Sequence, residues 1–205
     1  MQKSRKVLAA LATPVAVVAA GAMVYQASYA AFTGTTNNTG NEWSTGSINL
    51  TDDDNGVAMF RVSNLLPNDT ATRCIEVTAN ASVPSTVQGY TVSPDITNAK
   101  GLQDRIKITI QAGNGGSFST CTGFTAVGAP TVTAAPLSYL MANVNSWDTA
   151  AGEWAIPGGP TAAKRTYQIT YSFDTAGMTQ QQIDGLQGAK VGVGLQWEMR
   201  TNEAP

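Results

Sequence analysis

Hydrophobic and polar residues alternate with a period of two through three stretches of this chain. Residues 105–111 run Arg, Ile, Lys, Ile, Thr, Ile, Gln, which sets Ile106, Ile108 and Ile110 on one face. Residues 166–173 set Tyr167, Ile169, Tyr171 and Phe173 against Thr166, Gln168, Thr170 and Ser172. Residues 191–199 set Val191, Val193, Leu195, Trp197 and Met199 against Gly192, Gly194, Gln196 and Glu198. Successive side chains of a strand point to opposite faces. Each pattern therefore predicts a strand with one face on a core and one in water, as in antiparallel sheets. Weaker strand patterns cover 42–50, 56–63, 72–80 and 86–92. Helix is confined to two short pieces. Residues 136–143 carry Pro136 at the first turn, and residues 177–186 place Thr179 and Gln182 at capping-box spacing ahead of Ile183 and Leu186. The predicted fold is all-β: an antiparallel β-sandwich with one or two short helices.

Between about 112 and 163 the alternation weakens. Gly, Ala, Pro, Ser and Thr accumulate there, with Trp147 and Trp154 among them. A structureless loop of that length is rare in a compact domain. A loop-rich insertion with short strands and a helical turn is expected, pinned near its start by Cys121.

Ahead of the strands lies a segment that belongs to export rather than to the fold. Lys3, Arg5 and Lys6 precede an uncharged apolar run over 7–24. Ser28-Tyr29-Ala30 then puts small residues at the right places for cleavage between Ala30 and Ala31. The run is just long enough to span a bilayer, but its alanines, Pro14 and the cleavable junction favour a signal peptide over a retained anchor. The expected organisation is a signal peptide over 1–30 and a single sandwich domain over 31–205. Signal peptidase is then a partner during export, and the membrane is touched only through the leader before cleavage. The mature protein is expected outside the cell.

Charge narrows the partners further. The chain has twelve basic and fourteen acidic residues, and the leader takes three of the basic ones. Nine against fourteen leaves a mature net charge of −5. No basic cluster survives to hold nucleic acid or anionic lipid. The two cysteines, Cys74 and Cys121, read in an exported chain as one disulfide, with two buried thiols as the alternative.

Histidine is absent. Its absence removes Ser-His-Asp and Cys-His nucleophiles, H-E-x-x-H zinc chemistry and any imidazole base. Two cysteines without histidine make no usual zinc shell. Paired-carboxylate hydrolysis survives the exclusion, but no pair stands out by spacing. No catalytic residue, metal ligand or cofactor is assigned, and the chain is not expected to be an enzyme.

Thr51-Asp52-Asp53-Asp54-Asn55-Gly56 looks like a calcium loop until its register is checked. With Gly56 sixth, Thr51 falls where an EF-hand needs Asp and Val62 where it needs Glu. Asn55-Gly56 between two strand patterns predicts a type I′ hairpin turn with the aspartates at an exposed end. Opportunistic calcium at Asp52–Asp54 is the lesser reading. Trp43, Trp147 and Trp154 are open to stacking on sugar rings, whereas Trp197 shares a face with Val193, Leu195 and Met199 and belongs to the core. Asn37, Asn49, Asn68 and Asn80 begin N-x-[ST] triplets, which chance supplies in a chain so rich in Asn and Thr.

Several of these stretches together resemble a known family. The run Y-A-A-F-T-G-T-T-N-N-T-G-N-E-W-S-T-G-S-I-N-L, from Tyr29 to Leu50, is similar to the start of the TasA/camelysin proteins, whose leaders are cut by a SipW-type signal peptidase. Phe32-Thr33, Gly40-Asn41 and Thr45-Gly46-Ser47-Ile48-Asn49-Leu50 fill the family's pattern. Asn64 to Thr70, followed by Cys74-Ile75-Glu76-Val77, resembles its L-x-P-G-D turn and strand, with Asn68 where glycine is usual. Gln187-Gly188 and the strand from Val191 to Glu198 resemble its closing signature, while 112–163 has no counterpart. The resemblance implies a jelly-roll type of sandwich on the cell surface or in the biofilm matrix. It also implies self-association into fibres, with the freed segment Ala31, Phe32, Thr33, Gly34, Thr35 and Thr36 donated as a strand to a neighbour. Camelysin-type proteins are also labelled surface metalloproteases; a chain without histidine offers only carboxylates and carbonyls, which favour harder ions such as calcium.

Overall fold

The computed structural model describes residues 46–202. The leader, the Ala30–Ala31 junction, the segment from Ala31 to Thr36, and Trp43 lie outside the described residues. In chain order the strands are β1 (Ile48–Asp52), β2 (Thr70–Ala81), β3 (Ser85–Asn98), β4 (Ile106–Asn114), β5 (Thr125–Ala126), β6 (Val132–Pro136), β7 (Ala151–Ile156), β8 (Ala163–Phe173) and β9 (Lys190–Thr201). Three short helices join them: α1 (Leu102–Arg105), α2 (Leu137–Asn143) and α3 (Gln180–Gly185), with a single 3₁₀ turn at Trp147–Thr149. One sheet runs β1-β2-β8-β4 and is extended beyond β4 by both β5 and β6; the other runs β7-β3-β9. All pairings are antiparallel.

The sheets face each other across two apolar clusters. One joins Ile75, Val77, Ala79 and Tyr167 of the larger sheet to Val87, Trp154 and Met199 of the smaller. The other gathers Ile106, Ile108, Ile169, Tyr171 and Phe173 with Leu102 of α1 and Leu137 and Leu140 of α2. This is the all-β sandwich that the period-two patterns predict. The apolar faces of 105–111, 166–173 and 191–199 all turn to these clusters. The capping box also forms: the Gln182 amide donates to Thr179 Oγ1 at 3.3 Å, and the Thr179 amide donates to Gln182 Oε1 at 2.8 Å. The 112–163 stretch holds β5, β6, α2, the 3₁₀ turn and β7.

Two expectations about the strands need correction. Residues 56–63 are not a strand. The Asn55-Gly56 turn does form, with left-handed φ of 52° and 76° and the Val57 amide donating to the Asp54 carbonyl at 3.0 Å. The chain then leaves the sheet instead of returning beside β1. Met59 packs against both clusters, and Phe60 meets Tyr171 edge-on at 5.2 Å. Two consecutive apolar residues directed into the core are incompatible with strand alternation.

The second correction concerns Thr166, which alternation places in water but which is 1% exposed. Residues 115–124 cross this face of the sheet, with Phe124 against Gly113 beside Thr166. They leave β4 and reach β2, two strands away, where Cys121 is disulfide-bonded to Cys74 with a Cα–Cα distance of 5.4 Å. Glu76, Thr166 and Gly113 form one cross-strand row on the outer face beneath this strap. At Gly113 a β-carbon would collide with the Phe124 ring and the Thr125 carbonyl, so glycine permits the close approach.

Candidate functional site

Among the described residues, no group of three or more Asp, Glu or Cys side chains is arranged to hold a metal ion. The feature that most nearly constitutes a site is an opening between the sheets. Among the described residues, β1 has only β2 as a hydrogen-bonded neighbour and β9 only β3. These two edges pack against each other. The groove between them has a volume of about 240 Å³. Leu50, Thr51 and Asp52 line it from β1, and Leu195, Gln196 and Trp197 from β9, with Val77 and Val92 completing the wall. Its surface is mixed, with the apolar Leu50, Val77, Val92 and Leu195 beside the polar Thr51, Asp52 and Gln196. Asp52 stands at this opening. Partial desolvation, then the hydrogen bond and charge of Asp54, push its carboxyl above the usual aspartate range.

The aspartates of the calcium-like run are not equivalent. Asp54 Oδ1 accepts from the Gly56 amide at 2.6 Å, closing the turn. Asp53 is no exposed hairpin tip: Oδ1 accepts from the Glu76 amide of β2 at 2.8 Å, and Oδ2 from the Phe118 amide of the strap at 2.7 Å. It therefore ties the end of β1 to both. The sequence marks this position only as one of three aspartates before a turn, and nothing local says which carboxylate faces inward. Phe118 and Thr166 carry no local signal either: the first acquires its role on the strap, and the second is buried on the face which that strap crosses.

The tryptophans are largely accounted for by packing. Trp197 lies at 5.2 Å from Tyr167 between the sheets. Trp154 is 7% exposed and sits under the Arg165 guanidinium at 4.9 Å. Trp147 lies on the outer side of the smaller sheet, where the Arg200 guanidinium covers its ring at 4.5 Å. Stacking on a sugar needs a free aromatic face, and the contact with Arg200 takes one from Trp147. Beside it runs a polar chain. Tyr90 Oη donates to Glu198 Oε2 at 2.5 Å, Gln196 Nε2 donates to Tyr90 Oη at 2.8 Å, and Arg200 Nε donates to Glu198 Oε1 at 2.7 Å. The Tyr90 hydroxyl, then Arg200, hold the Glu198 carboxyl below the usual glutamate range.

Of the remaining nominated positions, Asn49 and Asn80 face each other across β1 and β2, and Asn68 occupies a turn with φ of 66°. There Pro67 precedes Asn68 and the Asp69 amide donates to the Leu66 carbonyl at 3.0 Å. A left-handed residue after proline is what a type II turn requires, and asparagine tolerates it. In comparison with known proteins, no family model matches this chain, and no curated protein matches it.

Proposed function

We propose that this chain is a secreted structural protein of the cell surface or biofilm matrix, a jelly-roll-type sandwich working through self-association rather than catalysis. Signal peptidase cuts between Ala30 and Ala31. The freed segment Ala31, Phe32, Thr33, Gly34, Thr35 and Thr36 then adds as a strand to the next subunit. The observation that carries this reading is the pair of edges, β1 and β9, each with a single strand neighbour among the described residues, flanking a groove of about 240 Å³. An edge strand presents unpaired N–H and C=O groups, and an extended segment that takes them up is bound by β-augmentation. Six extended residues span about 20 Å, well matched to a short edge such as β1. Donation from one subunit to the next is a heterologous contact, which generates a filament when it does not close.

The test is negative-stain electron microscopy of the secreted protein beside a variant lacking residues 31–38. Filaments from the parent and folded single particles from the variant are expected. Filaments unchanged by the deletion would sink strand donation as the mode of assembly.

A further inference from the structure

We infer that residues 115–124, the Cys74–Cys121 disulfide and Asp53 form a redox-sensitive latch that fixes the β1 wall of the groove. The inference rests on the strand-accepting role proposed for that groove, but the latch itself is read from contacts on the opposite face of the sheet. β1 stops at Asp52, opposite Val77 of β2. One residue on, the Asp53 carboxylate takes the place of a strand partner: it accepts from the Glu76 amide, the next edge-facing donor of β2. Its second oxygen accepts from Phe118 of the strap. The strap is held only three residues further along, where Cys121 is bonded to Cys74, a neighbour of that same β2 edge. Disulfide, strap and carboxylate thus converge where β1 ends. Leu50, Thr51 and Asp52, immediately before this junction, line the groove.

The two sulfurs differ in access. Cys74 is 1% exposed, whereas Cys121 is half-buried on the strap. An external dithiol attacks at Cys121: its thiolate forms a mixed disulfide there and expels the Cys74 thiolate, which takes up a proton. The reductant's second thiolate then displaces Cys121, which is protonated in turn, and the reductant leaves as its own disulfide. Two electrons pass from the reductant to the protein, and the strap is freed. Phe118 then no longer steadies Asp53, and the end of β1 loses its tie to the strap.

Amide exchange followed by NMR on the full chain tests this residue by residue, with the disulfide intact and after reduction by a dithiol. A disulfide also stabilises by restricting the unfolded chain, which speeds all globally exchanging amides alike on reduction. The latch predicts more: Phe118, Glu76 and the β1 amides accelerate by a factor at least about ten greater than the amides of β8, the loss of a hydrogen bond to a charged group. Equal factors throughout would overturn it. Asp53→Ala with the disulfide intact provides the second arm. Glu76 and β1 should again accelerate by about tenfold or more relative to β8, and unchanged exchange there would overturn the role of Asp53. Both arms are read on single subunits. A failure of filament formation would count against the proposed function and leave the latch standing.

Discussion

Tyr167 carries a hydroxyl into the core without a partner among the described residues. The residue is 3% exposed and its hydroxyl makes no hydrogen bond, although Arg165 and Trp197 lie near enough to temper the effect of burial, which pushes its pKa up to about 12. An unsatisfied buried hydroxyl costs about 1–3 kcal/mol. Tyr167→Phe should therefore leave stability unchanged or raise it by up to about 1 kcal/mol in urea denaturation, and a clear loss would mean that the hydroxyl is bonded in solution. Glu198 makes a prediction in pH. Its carboxyl is depressed in the fold, so the stability it contributes is present above its unfolded pKa, about 4.3, and is lost as pH falls through the lower folded value. Glu198→Gln should show a shallower fall in denaturation midpoint between about pH 5 and 3 than the parent. Asp52, raised in the fold, acts in the opposite sense and favours the folded state on acidification. At this scale the sequence was least legible. Asp53 owes a partner to a strap that reaches it only in the folded chain, and Thr166 is buried on the face which that strap crosses.

Elements were legible wherever one face of a strand is wet and the other dry. The alternation of 166–173 marks β8 because Tyr167, Ile169, Tyr171 and Phe173 all enter the core. The same rule fails over 56–63, where Met59 and Phe60 both turn inward and the apolar residues serve a crossing rather than a pleat. The capping box of α3 could be read from two residues because both partners lie within one turn. Removing the Thr179 oxygen in Thr179→Ala should cost about 0.5–2 kcal/mol, measured as a shift in denaturation midpoint. A helix as short as Gln180–Gly185 depends on its cap more than a long one.

For the whole molecule, periodicity predicts a sandwich but not which strands end at its edges. β2 pairs with β8, some ninety residues later, and the groove needs β1 and β9 from opposite ends of the described chain. Such pairings leave no local trace. The disulfide was legible as a pair of cysteines, while its action as the anchor of a strap was not. Its 47-residue separation corresponds to about 4 kcal/mol in the chain-entropy account. Reduction should lower the global unfolding free energy by about that amount, read from urea curves with and without dithiol. A smaller loss would point to residual order in the reduced, unfolded chain.

The same bond has a mechanical meaning. Cys74 to Cys121 encloses most of β2 and all of β3 and β4, so one covalent ring passes through both sheets. A chain stretched by its two ends transmits force through the sulfurs and bypasses the residues between Cys74 and Cys121, which cannot pay out while the bond holds. At about 3.5 Å per residue, roughly 160 Å of extension is withheld. Oxidised material would yield late and recoil from short extensions, whereas reduced material would creep. The stiffness of an assembly of such subunits would then depend on the chemistry of its medium.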